Sequence, residues 1–199
     1  MDASGWDARY CGTDLIWSAG PNRTVAEQVE GLAIGTALDL GAGEGRNAVW
    51  LAEHGWKVTA VDFSVVGLEK AQEIARRRGV EIETVVADVL DFRAPGAFDL
   101  VVLAYLQLPM EQLAHVLQHS AAALSPGGTL LLVAHDRSNL VDGVGGPQDP
   151  EVLPTPEEVT AVLPGLRVER AELIRRPVEV DGVTRYAIDT LVRARRPTG

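Results

Sequence analysis

The sequence predicts an α/β protein of three layers, in which a doubly wound, mostly parallel sheet of seven strands lies between helices. Three observations support this. Short apolar runs alternate with amphipathic stretches along the 199-residue chain, a pattern typical of β-α-β units around a parallel sheet. A glycine-rich turn follows the first strong apolar run, and an acidic residue closes each of the next two. A short turn joins the last two runs, which predicts an antiparallel last strand.

The strands are predicted from segments rich in apolar and β-branched residues. The fourth is almost wholly apolar, as a strand buried on both faces of a sheet should be. Ser125-Pro126-Gly127-Gly128 is expected to form a turn into the fifth strand, and Asp181-Gly182 is expected to join the last two. In chain order the predicted strands are 36–40, 57–61, 83–87, 98–104, 129–134, 167–175 and 184–195.

Helices are predicted from apolar spacing and capping residues. Ala48, Leu51 and Ala52 recur at i, i+3, i+4 spacing after the first strand, and Gly55 ends that helix. Further helices are expected at 24–32, at 65–78 with Ser64 as N-cap, at 109–124 with Pro109 in its first turn, and after the capping box Thr155-Pro156-Glu157-Glu158.

Two stretches stand apart from this pattern. The aromatic-rich residues 1–35 either lie over the ligand crevice or pack as a cover against the edge of the sheet. Residues 138–154 are rich in Gly, Pro and Asp and show no apolar periodicity, and a loop of this length is usually functional or disordered. Both are candidates for lids.

Composition narrows the class of protein. Hydrophobic residues make up 46% of the chain and charged residues 23%, and no apolar run reaches the roughly 18 residues that span a bilayer. The start of the chain lacks the pattern of a secretory signal, and the single cysteine forms no internal disulfide, so we expect a cytoplasmic protein without a membrane partner. A formal net charge of −10 disfavours nucleic acid as a partner.

The residues that carry chemistry are expected where parallel strands end, because ligands of such sheets bind beyond the carboxyl ends of the strands. The glycine loop follows the first strand, Asp62 closes the second and Asp88 the third. The loop amides are expected to favour a negative group, and a carboxylate ~20 residues beyond the loop suits ribose hydroxyls. Nicotinamide enzymes and methyltransferases share this arrangement. Here Arg46 takes the place of the last glycine of the dinucleotide pattern.

A resemblance to a known family follows from the motifs together. Leu38-Asp39-Leu40-Gly41-Ala42-Gly43-Glu44-Gly45 resembles motif I of the class I S-adenosylmethionine-dependent methyltransferases. Asp62-Phe63-Ser64 and Ala87-Asp88-Val89 resemble the second and third motifs, and Phe98–Val101 and Leu124–Gly128 resemble the signatures of the fourth and fifth strands. The resemblance implies a single domain over 1–199, with an N-terminal cover at 1–35 and a Rossmann-like core at 36–199.

A narrower resemblance is more local. Gly45-Arg46-Asn47 and the Trp-Asp-x-Arg-Tyr opening at 6–10 resemble the tellurite-resistance and thiopurine-type small-molecule methyltransferases. The loop after the fifth strand has no counterpart that we can align.

The candidate site residues fall into three groups. The resemblance implies that the cofactor, S-adenosylmethionine, contacts Asp39, Gly41, Ala42, Gly43, Asn47, Asp62, Phe63, Asp88, Val89 and Ala104. The candidate catalytic residues are Tyr105, which the resemblance places near the sulfonium, and His135, a candidate base where the fifth strand ends. The candidate substrate-binding residues are Arg9, Trp17, Gln107 and Arg137. No metal is expected, because His115 and His119 have helical spacing but lack a third ligand.

These observations predict an enzyme that transfers a methyl group to a small-molecule nucleophile by in-line displacement, with oxygen, nitrogen, sulfur and chalcogen acceptors open. One alternative is a nicotinamide-dependent oxidoreductase, although no Tyr-x-x-x-Lys pair is present. The other is a methyltransferase-like module that binds the adenosyl cofactor without turnover. The sequence carries no signal for the identity of the acceptor or for the oligomeric state.

Overall fold

The structure, a computed structural model, describes residues 3–12, 15, 20–163 and 165–199, so Trp17 lies outside the described part of the chain. The helices are α1 (Ala3–Tyr10), α2 (Arg23–Val29), α3 (Arg46–Glu53), α4 (Val65–Arg77), α5 (Met110–Ala122), α6 (Asn139–Asp142) and α7 (Pro156–Ala161), with a 3₁₀ turn at Pro150–Val152. The strands are β1 (Thr36–Leu40), β2 (Lys57–Asp62), β3 (Glu83–Val86), β4 (Phe98–Ala104), β5 (Leu124–His135), β6 (Arg167–Val180) and β7 (Val183–Arg195).

The seven strands form one sheet in the order β3-β2-β1-β4-β5-β7-β6. Strands β1 to β5 run parallel to one another, and β7 runs antiparallel to both of its neighbours, β5 and β6. The chain order reverses at β1 and β4, which are paired, so the ligand crevice is expected above their carboxyl ends. The predicted doubly wound sheet with an antiparallel last strand is confirmed.

Helices cover both faces of the sheet, as the alternation of side chains along β4 requires. Leu100 and Val102 pack on one face with the buried apolar residues of α2, α3 and α4. Val101 and Leu103 point to the other face and pack with residues of α5 and α7. All four side chains are almost completely buried, which explains why the sequence of β4 is continuously apolar.

The capping residues chosen from the sequence act as expected. Ser64 accepts a hydrogen bond from the amide of Gly67 at the start of α4. Thr155 and Glu158 form the reciprocal pair of a capping box at the start of α7, with the Glu158 carboxylate accepting from the Thr155 amide at 2.9 Å. These bonds satisfy amides that the helices leave unpaired.

The largest differences from the predicted strands are at the start of β5 and at the hairpin of β6 and β7. Strand β5 begins at Leu124, because Phe98 pairs with Leu124 and the pairing then shifts to Leu100 with Thr129, so the expected turn 125–128 is an irregular part of the strand. Strands β6 and β7 extend to a two-residue turn at Asp181 and Gly182, both with positive φ, which suits a tight hairpin.

Residues 138–154 are not a single structureless loop. The segment contains α6 and the 3₁₀ turn, and Asn139 fixes it to the sheet by accepting a hydrogen bond from the amide of Ile188 at 2.7 Å. Within the described residues, no helix is long and apolar enough to cross a membrane.

Candidate functional site

A cavity of about 520 Å³ lies at the carboxyl ends of β1 to β4, where the sequence predicted a site. This volume falls in the range of small-molecule sites. The predicted cofactor residues that line it are Gly41, Ala42, Gly43, Asn47, Asp62, Phe63, Asp88, Val89 and Ala104, and the predicted residues Tyr105 and Gln107 line its other end.

The glycine loop forms the wall above β1. Gly41 and Gly43 have φ values of 73° and 53°, which side chains rarely adopt, and a Cβ on Gly43 would lie 2.7 Å from the hydroxyl of Tyr10. The amides of Gly41 and Ala42 both donate to the Val61 carbonyl. These two amides are therefore used by β2, and the expectation that the loop and the start of α3 favour a negative group stays a prediction.

Asp62 fixes this loop from the end of β2. Its Oδ2 accepts from the Gly43 amide and its Oδ1 from the Ser64 amide, each at 2.8 Å. Burial raises the pKa of Asp62 above its usual value, although the two hydrogen bonds act in the opposite direction. The carboxylate thus holds the loop in place while one of its faces lines the cavity.

Asp88 and Val89 form the wall beyond β3. Asp88 is exposed, and its Oδ1 accepts from the Leu90 amide at 2.9 Å, so the turn after β3 is fixed by its own carboxylate. Val89 is buried and packs with the apolar cluster around β4 and β5. Phe63 also lines the cavity.

Asp39 lies below the loop and does not line the cavity. Its carboxyl is almost fully buried in β1, and its Oδ2 has no hydrogen-bond partner in the structure. Burial raises the pKa of Asp39 to about 7, while the nearby charge of Arg46 lowers it. Arg46 itself lines the cavity as the first residue of α3. A protonated or partly ionised carboxyl therefore lies directly beneath a cation of the cavity wall.

Helix α1 covers the cavity from above. Ala3, Trp6 and Tyr10 line it, and the rings of Trp6 and Tyr10 stack with centroids 5.5 Å apart. Asp7 on the same helix accepts a hydrogen bond from the Ser64 hydroxyl at 2.5 Å, next to the start of α4. One of the two uses considered for the N-terminal segment, a cover of the crevice, fits this placement of α1.

Tyr105 follows β4 and forms the end of the cavity opposite Asp88. Its φ of 59° is unusual for a residue with a side chain, and its amide donates to the Val133 carbonyl at 2.7 Å. Its hydroxyl donates to Asp189 Oδ2 at 2.7 Å and accepts from Asn22 at 3.2 Å and Arg176 at 3.0 Å. Burial, followed by the charge of Asp189, raises the pKa of Tyr105 far above its usual value.

His135, the candidate base, lies behind Tyr105 and is not part of the cavity wall. The two rings are 4.9 Å apart between centroids, and Gly146 packs against the imidazole. His135 Nδ1 lies 3.0 Å from Asp189 Oδ1, a close polar contact without the alignment of a hydrogen bond. The structure thus brings His135 to Tyr105 and Asp189.

The remaining predicted residues are dispersed. The guanidinium of the exposed Arg9 lies 4.7 Å from the centroid of the Trp6 ring, and Arg9 does not line the cavity. Arg137 pairs with Glu158 at the surface, at 2.9 and 3.0 Å. Asn47 both lines the cavity and accepts from the Asn22 amide at 2.9 Å, which joins α2 to the site.

No group of three or more metal-ligating side chains occurs in the part of the chain that the structure describes. His115 and His119 contact each other on an exposed face of α5, with their Nε2 atoms 3.1 Å apart and Arg93 beside them. Three basic groups at one point disfavour a bound cation.

Sequence reasoning missed several residues of the site. The cavity is also lined by Ala3 of α1, by the cation Arg46, and by Leu106, Leu108 and Gln112. Asp189 and Arg176 do not line the cavity but bond to the hydroxyl of Tyr105, which does. The sequence carries a signal for Asp189. An aspartate between Ile188 and Thr190 in a long apolar strand is a buried charge that needs partners.

The part of the chain that forms most of the cavity matches a known protein family. Residues 37–128, which carry the loop, Asp62, Asp88 and Tyr105, match the family model of a methyltransferase domain. A 2-heptyl-1-hydroxyquinolin-4(1H)-one methyltransferase of Mycobacteroides abscessus is 28% identical over 137 residues, which cover 66% of this chain and 60% of that protein. The chain thus spans less than two thirds of that relative.

Two solved structures share the fold over nearly the whole chain. The N-methyltransferase NodS from Bradyrhizobium japonicum, in complex with S-adenosyl-L-homocysteine, has a TM-score of 0.70 at 21% identity, with 98% of each chain covered. TehB from Haemophilus influenzae has a TM-score of 0.74 at 18% identity, with 98% of this chain and 66% of that chain covered. At these identities the similarity is one of fold.

Proposed function

We propose that this chain, which belongs to the class I S-adenosylmethionine-dependent methyltransferases, transfers the methyl group of S-adenosylmethionine to a small-molecule nucleophile. The observation that carries the proposal is the single cavity that joins the glycine loop, Asp62, Asp88 and Tyr105 at the carboxyl ends of four adjacent strands. A nicotinamide enzyme fits less well, because Arg46 takes the place of the last glycine of the dinucleotide pattern.

The residues present fit an adenosyl cofactor. A Cβ on Gly43 would lie 2.7 Å from the hydroxyl of Tyr10, so glycine is what lets the loop and α1 lie this close together beside the cavity. Asp62 would hold the ribose hydroxyls, and Asp88, Val89 and Phe63 would hold the adenine. Asp39 would act through the loop above it, since it is not exposed to the cavity.

The cofactor, when bound, supplies an activated methyl group on a sulfonium. The task of the protein is then to hold two reactants in line and to exclude water, and alignment of this kind is worth several kcal/mol, on the order of 7 or more in favourable cases. The loop and Asp62 hold one reactant, while Tyr105 and Gln107 shape the place of the other. Helix α1, with Trp6 and Tyr10, covers the site and excludes water from it.

Tyr105 acts in this scheme by its position. Its hydroxyl is bonded to Asp189, Asn22 and Arg176, and its raised pKa keeps the proton on the phenol. A proton of the acceptor, where there is one, therefore does not pass to Tyr105. His135 stays a predicted base, and its place behind Tyr105 requires a path around the ring to reach the cavity.

A small molecule is the acceptor class that the Mycobacteroides relative and the lining of the cavity favour. The Mycobacteroides relative is named for a hydroxyquinolone, and Leu106, Leu108 and Gln112 give this cavity an apolar wall with an amide at its edge, which suits a compact, partly polar ring. The tellurite-resistance and thiopurine-type subgroup and the cytoplasmic location stay predictions.

The test is an acceptor screen in which release of S-adenosylhomocysteine from S-adenosylmethionine is followed. The panel holds 2-heptyl-1-hydroxyquinolin-4(1H)-one, a phenol, a thiol, a primary amine and tellurite. We expect turnover with at least one small acceptor and none with DNA or RNA. Tight cofactor binding without turnover on any acceptor would favour the non-catalytic module.

A further inference from the structure

One buried carboxylate joins four elements behind the acceptor end of the cavity. Asp189 on β7 is fully buried, and the groups around it come from β5, from β6 and from the residue that follows β4. Tyr105 donates to its Oδ2 at 2.7 Å, Arg176 donates to the same oxygen at 2.7 Å, and His135 lies 3.0 Å from its Oδ1. Neither β6 nor β7 contributes a residue to the cavity wall, so Tyr105 connects this hairpin to the site.

The carboxylate of Asp189 stays ionised although it is buried. Burial alone would raise the pKa of Asp189, but the contacts with His135 and Arg176 and the charge of Arg176 lower it below its usual value. An ionised carboxylate accepts from two donors at once, and hydrogen bonds to charged groups are stronger than those between neutral groups. Tyr105 is therefore held by a stronger bond than a neutral partner would give.

Tyr105 requires hydrogen bonds that fix its side chain, because its backbone is strained. A φ of 59° is sparsely populated for a residue with a side chain, and conformations of this kind persist where surrounding bonds fix them. Three of those bonds meet at its hydroxyl, from Asp189, Arg176 and Asn22. The backbone bend places the phenol ring across the end of the cavity, where the acceptor must approach.

We propose that Asp189 is a positioning residue for methyl transfer: it fixes the Tyr105 ring as the wall against which the acceptor is aligned. The inference rests on the proposed function, because alignment has a purpose only if an acceptor reacts there. Asp189 itself touches neither reactant. Its loss should lower kcat through misalignment while cofactor affinity, which depends on the loop and Asp62, stays nearly unchanged.

The kinetic test compares Asp189→Asn, Tyr105→Phe and the double variant. We expect kcat to fall about 30-fold in each single variant, with the Kd for S-adenosylhomocysteine within about threefold of the wild type. The double variant should lose no more than about threefold in kcat beyond the less active single variant, because both changes act on the same hydrogen bond. Effects that multiply, or a kcat of Asp189→Asn within about threefold of the wild type, would overturn the proposal.

Thr190→Val is the matched control for lost stability. Thr190 is the next residue of β7 and is equally buried, but its hydroxyl bonds to Asp136 and to the Pro154 carbonyl, away from the cavity. We expect a lower melting temperature and an unchanged kcat. If Asp189→Asn and Thr190→Val alter stability and kcat alike, Asp189 has only a structural role and the proposal is wrong.

A second readout does not require turnover. The chain has three tyrosines, so ¹⁹F NMR of protein labelled with 3-fluorotyrosine gives three resonances that Tyr→Phe variants assign. The Tyr105 resonance should shift in Asp189→Asn and stay in place in Thr190→Val, while an unmoved Tyr105 resonance in Asp189→Asn would overturn the proposal. Failure of the proposed function looks different: the wild type would methylate no acceptor, whatever the fluorine spectra show.

Discussion

At the scale of single residues, Asp62 combines a structural task with the proposed binding of the cofactor. Its two oxygens accept from the amides of Gly43 and Ser64, so the loop after β1 is fixed by the residue that ends β2. The spacing in the sequence predicted a carboxylate for the ribose but not this internal bracing, because bracing depends on how β1 and β2 pair.

Replacement of Asp62 should therefore affect both tasks. In Asp62→Ala we expect the affinity for S-adenosylhomocysteine to fall at least about tenfold and the free energy of unfolding to fall by about 1–3 kcal/mol, because two buried amides lose a charged acceptor. Calorimetric titration and thermal melting measure the two effects.

Asp99→Asn is the control for Asp62→Ala. Asp99 accepts from the amide and hydroxyl of Thr36, at the opposite end of β1 from the cavity. Its replacement should cost comparable stability and leave the affinity for S-adenosylhomocysteine unchanged. Equal affinity losses in the two variants would remove Asp62 from the binding site.

Asp39 makes a separate prediction about pH. Its pKa of about 7 lies above that of an unfolded aspartate, so the native state keeps a proton that the unfolded chain releases. The free energy of unfolding should then fall as the pH rises from about 4 to about 7, and Asp39→Asn should remove this dependence. We expect the variant to be more stable than the wild type by on the order of 2 kcal/mol at about pH 8, measured by urea unfolding. Parallel pH profiles of the two proteins would contradict the assignment.

At the scale of elements, helix α1 is the part of the site that the parallel sheet does not require. It is held at the start of α4 by the bond between Ser64 and Asp7, and it presents Trp6 and Tyr10 to the cavity. A short helix with one fully buried side chain adds little to global stability, so its contribution should appear in ligand exchange.

Asp7→Ala tests this role. We expect the dissociation rate of S-adenosylhomocysteine to rise about tenfold, while the melting temperature changes by less than about 2 °C. Stopped-flow measurement of tryptophan fluorescence follows the release. Glu27→Ala, which breaks an exposed ion pair on α2, is the control and should change neither quantity. An unchanged dissociation rate in Asp7→Ala would show that α1 is a static cover.

The elements also show where sequence patterns succeed and where they fail. Strands β1 to β4 were predicted nearly to the residue, because a continuous apolar run bounded by glycine or acidic residues has few other interpretations. The start of β5 was missed, because Ser125–Gly128 has the composition of a turn and only pairing with Phe98 extends the strand to Leu124. Tertiary pairing there overrides local propensity.

At the scale of the whole molecule, the fold brings together residues that are far apart in the chain. The cofactor half of the site was predictable, because the rule about the carboxyl ends of parallel strands converts sequence position into spatial position. Tyr105 and Gln107 of the acceptor half were predicted as well, but the contact of Tyr105 with Asp189 was not, because these two residues are 84 positions apart and meet only once the hairpin β6-β7 is placed beside β5. No local pattern encodes that contact.

The charged residues of the cavity follow the same division into a cofactor half and an acceptor half. The chain has a net charge of −10, and the carboxylates Asp62 and Asp88 line one end of the cavity, whereas Arg46 lines it near Tyr105.

The interpretation of residues 1–199 as one domain, with α1 and α2 as a cover, stays a proposal. Limited proteolysis with and without S-adenosylhomocysteine tests it, and a stable fragment that lacks the first 35 residues yet binds with full affinity would contradict it.

The most direct measurement is calorimetric titration of the purified protein with S-adenosylmethionine, S-adenosylhomocysteine and NAD in parallel. We expect both adenosyl ligands to bind at a single site with a Kd on the order of micromolar, and NAD to produce no heat of binding. Binding of NAD alone would contradict the assignment as a methyltransferase, and binding of none of the three would show that the glycine loop, Asp62 and Asp88 no longer form a cofactor site.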